Sequence, residues 1–160
     1  MANNFGKYRN VELSTVYFFD TQISNSWTGV TVTLGFPNLN ATSQLPVVSV
    51  RVPTINSDFL EIGSRTMDDV YTVIIDIFAK THPQREDLAQ FIQDLIIQDC
   101  VYYTHTRTSG QTENQITRTQ AGRLKFIGFV ENQKLDFGDD VDVFDKCRQV
   151  ISYNCRVALT

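Results

Sequence analysis

The sequence predicts an α+β fold, a mostly antiparallel β-sheet with two packed helices. Two stretches carry apolar residues at helical spacing, around residues 16–27 and 88–95. Several others alternate apolar and polar residues with the period of a half-buried strand. Their order, one helix, three strands, a second helix and two long strands, reads as a sheet with helices packed against it. The chain's 160 residues fit a single domain spanning 1–160. Apolar residues make up 42% and charged residues 20%, which is ordinary globular usage and argues against wholesale disorder.

Residues 1–9 are polar and are expected to form a flexible N-terminus. From Asn10 the pattern turns helical, with Val16, Phe19, Ile23 and Trp27 as the apolar stripe. Asn10 is the expected N-cap, Glu12 suits the first turn, and Gly29 follows the end. Val30, Val32, Leu34 and Phe36 alternate with Thr31 and Thr33, as in a half-buried strand. Val48, Val50 and Val52 mark a second strand, expected to be bracketed by Pro46 and Pro53. Residues 53–58 read as turn material, and Phe59–Ile62 as a short edge strand. In Val70–Ala79, Tyr71, Val73, Ile75 and Ile77 share one face while Val70, Ile74 and Phe78 share the other. This predicts a central strand covered on both sides.

Thr81-His82-Pro83-Gln84 has the form of a capping box with proline in the first turn. Leu88, Phe91, Ile92 and Leu95 supply the buried face of the helix it opens. Val101–Thr104 begins another extended piece. Residues 104–122 are rich in Thr, Gln and Arg, and Ile116 is their single large apolar side chain. Such a segment is either a mobile loop or a hairpin arm that orders against a neighbour. Leu124, Phe126 and Val130 mark the next strand, with Ile127 and Phe129 on its other face. In the last strand Ile151, Tyr153, Cys155, Val157 and Leu159 alternate with Ser152, Asn154, Arg156 and Ala158.

The net charge of -4 argues against a binder held to nucleic acid by phosphates, and Lys and Arg are scattered apart from Lys7-Tyr8-Arg9. A basic patch assembled by the fold stays open as an alternative. No apolar run approaches the roughly 20 residues of a membrane helix. The first residues lack a secretory apolar region and a myristoylation glycine, so synthesis in the cytosol is expected. The three cysteines, Cys100, Cys147 and Cys155, do not read as a disulfide framework. His82 and His105 stand apart from any Cys or His at metal spacing, and no nucleotide-binding or hydrolase motif occurs.

Asp136, Asp139, Asp140, Asp142 and Asp145 crowd into one stretch. It reads first as a solvated turn. A cation loop or a negative patch facing a basic partner or a DNA channel are the other readings, although the EF-hand pattern fails. Arg107, Arg118 and Arg123 flank the polar arm without interleaved aromatics, so salt bridges between subunits or solvation are expected of them. No catalytic, cofactor-binding or metal residue is expected, and no cofactor.

Four phrases carry a family likeness: Leu45-Pro46-Val47-Val48-Ser49-Val50, Leu60-Glu61-Ile62-Gly63-Ser64, Ile75-Asp76-Ile77-Phe78-Ala79 and Gln84-Arg85-Glu86-Asp87-Leu88. Together they resemble the tail terminator and related neck (head–tail connector) proteins of tailed bacteriophages. In that family a strand ending in D-x-F-A leads into a helix opening with Q-R/x-x-D-L. The likeness spans residues 11–159 in the order of elements and is specific at 75–88. It implies a tail-terminator-like subunit that forms a ring, commonly a hexamer, at the top of the tail tube. The ring would join tail tube and head connector proteins, with DNA passing through its lumen without specific binding. It further implies a virion component assembled in the host cytoplasm, not an enzyme, with no membrane partner and no ligand residues. The arm and the acidic stretch are longer here than in smaller members. A head-completion or adaptor protein of the neck is the neighbouring reading. The competing class is a small cysteine- or metal-dependent hydrolase, which needs Cys100 or Cys147 beside His105, or a metal in the Asp stretch.

Overall fold

The computed structural model describes residues 2–39, 44–59, 67–108, 116–135 and 147–160. The acidic stretch 136–145, the phrase Leu60-Glu61-Ile62-Gly63-Ser64, with it the expected edge strand beyond Phe59, and the centre of the polar arm lie outside the described residues. In chain order the elements are β1 (Ala2–Asn4), α1 (Lys7–Ser26), β2 (Thr31–Leu34), β3 (Val47–Phe59), β4 (Met67–Phe78), α2 (His82–Ile96), β5 (Cys100–Thr108), β6 (Thr117–Leu135) and β7 (Arg148–Leu159). The strands form one seven-stranded sheet in the order β1-β5-β6-β7-β4-β3-β2. Every pairing is antiparallel except β2 with β3. The fold is α+β, as the patterning predicts.

The core follows from period two. Tyr71, Val73, Ile75 and Ile77 of β4 stand on one face, level with Val48 and Val50 of β3 and with Ile151, Tyr153 and Cys155 of β7. All of them are buried, and both helices pack into the same cluster. α1 contributes Val11, Phe19 and Ile23; α2 contributes Leu88, Ile92 and Leu95. Each such side chain is worth about 1.5–3 kcal/mol of apolar burial. An edge contact between the Trp27 and Phe91 rings, 6.2 Å between centroids, joins the two helices. The second face of β4 is wholly buried only at Asp76 and Phe78, where Leu39, Leu45 and Val47 form a small satellite core. Val70, Thr72 and Ile74 are half-buried, so the strand is covered twice at one end alone.

Five expectations need correction. Residues 1–9 are not a loose tail: β1 pairs with β5, Asn4 opposite Thr106, and the Phe5 N–H donates to the His105 carbonyl at 3.0 Å. Three residues without a large apolar side chain can do this because the ladder uses backbone groups alone. Helix α1 starts at Lys7 with Gly6 as N-cap, so Asn10 lies inside it and is buried. The buried face of α1 is half polar, combining Asn10, Ser14 and Thr15 with the apolar residues. Pro53 does not end β3. The strand continues to Phe59, and the register with β4 shifts between Arg51 and Thr54, where a residue without an N–H is tolerated. Residues 53–58 are therefore strand and not turn, forming one half of a hairpin with β4.

The fifth correction concerns β6. Register shifts fall at Phe126/Gly128 and Phe129/Glu131, each inserting one residue. The first reverses the alternation, so Phe126 and Phe129 share a face with ring centroids 5.0 Å apart, where period two placed them on opposite faces. Of the two readings for 104–122, the described residues take the hairpin: β5 pairs with β6 from Cys100↔Leu124 to Thr106↔Thr117. At its root Gly122 leaves no room for a side chain, because a Cβ would press into the Ala158 carbonyl oxygen of β7. The α2 cap forms as expected, with Thr81 Oγ1 accepting from the Gln84 N–H at 3.4 Å. The reciprocal bond is displaced by one residue, Lys80 N–H to Gln84 Oε1 at 2.9 Å.

Candidate assembly surface

Of the residues singled out for chemistry, the cysteines and His105 are buried within the fold, and the Asp stretch lies outside the described residues. Cys100, Cys147 and Cys155 are free and buried. Burial pushes the thiols of Cys100 and Cys155 up to about 12, which keeps them from the thiolate form a nucleophile needs. His105 is buried, and its Nδ1 lies 3.1 Å from Asn10 Oδ1. Burial is the main cause of its lowered pKa, with the Arg118 charge adding to it. Among the described residues no group of His, Cys, Asp and Glu could hold a metal ion. His82 sits exposed in the first turn of α2.

The polar residues of α1 explain themselves on β5. Ser14 Oγ accepts from the Tyr103 N–H at 2.9 Å and donates to the Tyr103 carbonyl at 3.3 Å. Asn10 Oδ1 accepts from the His105 N–H at 3.0 Å, while its amide donates to the Phe5 carbonyl at 3.0 Å. Helix side chains one turn apart thus take up strand backbone groups that a neighbouring strand would otherwise satisfy. Arg118 is exposed, as expected, and its guanidinium lies 3.5 Å from the Tyr17 ring centroid, with Tyr17 packed edge-on against Tyr103. Arg123 pairs loosely with Asp99 at 3.8 Å. Arg107 is half-buried opposite Asn3 in the β1–β5 ladder.

The other side of α1 reaches β3. The Tyr8 hydroxyl donates to the Val52 carbonyl, and the Val52 N–H bonds the Glu12 carboxylate, whose pKa burial raises. One helix therefore serves the backbones of β5 and β3, which stand four places apart in the sheet, so the sheet curls around α1. Beyond Val52, α1 makes no further bond to the β3 backbone among the described residues; its Lys7 reaches Asp69 of β4 instead. Thr54–Phe59 pairs with β4 and, among the described residues, with nothing on its outer side, and Pro53–Ser57 is exposed. Far along this hairpin, opposite Ser57, Asp69 accepts from Lys7 at 2.7 Å and Ser57 at 2.6 Å, bonds that hold its carboxyl below the usual range.

A second bare edge lies on β6. Lys125–Leu135 pairs with β7 on one side and, among the described residues, with no strand on the other. It carries large exposed apolar side chains: Ile127, Phe129 and Val130 are 44%, 46% and 57% exposed. Ile127 and Val130 are the residues that the two register shifts insert.

Between these edges sits a buried carboxylate. Asp76 is fully buried, and its two oxygens each accept from one guanidinium, Arg51 at 2.5 Å and Arg148 at 2.7 Å. The Phe36 ring lies 5.7 Å from Arg51 and 5.1 Å from Arg148. This clasp ties β3, β4 and β7 together. In the sequence Asp76 stands out as the D of the D-x-F-A phrase and as the one charge within an otherwise apolar stretch from Val73 to Ala79. A charge in a buried strand must be paired, and that was the signal available for finding it.

No family model matches the chain, and no curated protein matches it. Among solved structures, a chain of the "Virion of native gene transfer agent (GTA) particle" is similar at 10% identity and a TM-score of 0.49, over 95% of this chain and 98% of that one.

Proposed function

We propose that this chain is a structural virion protein of a tailed phage, a non-catalytic subunit that forms a ring at the neck. The ring, a hexamer, caps the tail tube and offers its other side to the head connector, with DNA passing through the lumen. The observation that carries this reading is the pair of strand edges left without a partner in one copy, at Thr54–Phe59 and Lys125–Leu135. Long bare edges invite pairing with another chain, and natural sheets avoid them where no partner is intended. The phrase that carries the family resemblance supports the same reading. Asp76-Ile77-Phe78-Ala79 closes β4 on the arginine clasp, and Thr81 then caps the helix opened by Gln84-Arg85-Glu86-Asp87-Leu88.

The mechanism is docking. Each subunit contact is repeated around the ring, so modest contacts add up, and a stable contact buries more than about 1,000 Å². A net charge of -4 keeps attraction to passing DNA phosphates weak. Gold-labelled antibody against the chain, imaged on intact virions, tests the station. Label at the junction of head and tail is expected. Label spread along the tail or over the head would sink the neck assignment.

A further inference from the structure

The two bare edges are complementary in direction. β3, β4, β7 and β6 follow one another through three antiparallel steps, so β3 and β6 run in opposite senses. Their free sides face away from each other, β3 toward one lateral edge of the sheet and β6 toward the other. They are also offset along the strands. The bare part of β3 lies toward its hairpin tip, beyond the stretch that β2 covers. The bare part of β6 begins at Lys125, just where its pairing with β5 ends. An offset of this kind is what tilted strands require when a sheet closes on itself.

We infer that Thr54–Phe59 of one copy pairs antiparallel with the Lys125–Leu135 edge of the next, so that the sheet continues from subunit to subunit. The inference rests on the ring reading and names its contact. Ile127, Phe129 and Val130 are then covered by the neighbour's hairpin. Pairing of β6 with a second β6 would be two-fold and would close at a dimer, leaving β3 bare. Head-to-tail pairing uses both edges and gives a ring where the rotation between copies closes.

Cysteine pairs test it in the full-length chain. Ile55→Cys and Asn56→Cys are each co-expressed with a differently tagged copy carrying Phe129→Cys or Val130→Cys, and mild oxidation is followed by denaturing gel electrophoresis. The native cysteines are buried, and the parent chain is the control. In at least one combination the two tags are expected in one covalent dimer, at ten-fold or more the yield of either variant alone. Variants that cross-link to themselves as well as to each other overturn the head-to-tail pairing. No mixed cross-link in a chain that still assembles, by light scattering, overturns this contact and leaves the ring reading standing. A monomer at every concentration, without cross-links, overturns both.

Discussion

The two flanks of the sheet are treated differently by the same helix. On the β5 side, Asn10 and Ser14 of α1 bond the backbone of His105 and Tyr103, and β1 extends the cover to Thr108. On the β3 side, Tyr8 and Glu12 reach Val52 and no further. Each pair is spaced by one helical turn, so α1 carries two polar ridges, one per flank. The difference teaches where this chain completes itself and where it does not. Buried polar side chains are placed on the flank that the chain closes alone. The stretches left without them, Thr54–Phe59 and Lys125–Leu135, are the ones assigned to another copy.

The largest effect is expected at the clasp that holds the sheet between the two flanks. Asp76→Ala leaves Arg51 and Arg148 without their shared carboxylate, and removing one partner of a buried ion pair costs about 3 kcal/mol or more. Urea denaturation should show a lowered midpoint with little change in slope. A loss within experimental error would mean that solvent reaches the clasp and that it does not set the register of β3, β4 and β7.

Next comes the closed flank. Asn10→Ala removes the acceptor of the His105 N–H and the donor to the Phe5 carbonyl, at about 1–3 kcal/mol for the groups left unsatisfied. Hydrogen exchange is expected to quicken at β1 and at His105 while β4 and β7 keep their protection. Uniform loss across the sheet would contradict the idea that α1 closes this flank locally.

A smaller, pH-dependent effect follows from His105. Its folded pKa lies below the ordinary 6.5, so the unfolded chain binds the extra proton first. The stability from burying the neutral ring is present above about pH 6.5 and is lost as pH falls from there toward the folded value. The wild type should lose more stability between pH 7.5 and 5.5 than His105→Gln does. Equal losses would remove His105 from the account of this flank.

The smallest effect on folding is expected at the open stretches. Ile55→Lys and Val130→Lys alter exposed side chains and should change monomer stability by less than about 0.5 kcal/mol. They should nonetheless weaken self-association at least ten-fold, read as the concentration at which assemblies fall apart. Substitutions that destabilise the monomer and spare assembly would reverse the comparison.

How much of this was legible in the sequence follows from what a periodic pattern reports. It tells which side chains point into a core, so β4, β7 and the buried face of α2 were readable, as was the cap at Thr81. It does not tell which backbone groups find partners. β1 has no apolar rhythm and pairs through its main chain alone. Asn10 looked like a cap because Asn bonds nearby backbone at helix starts, yet here it bonds the backbone of β5 and of Phe5. Pro53 read as a strand end because proline lacks a donor, but on an outer edge at a register shift no donor is required. The inserted residues of β6 break period two; Gly128 beside the first is a local signal of a bulge, and the second carries none. The proposed assembly surface is made of strand edges unpaired among the described residues, which a sequence pattern cannot display.

The central claim is that the chain completes its sheet with copies of itself. Light scattering of the purified full-length chain over a wide range of concentrations tests it most directly. The account predicts one discrete multiple of the subunit mass, a hexamer, that dissociates on dilution. A strict monomer at every concentration would contradict it.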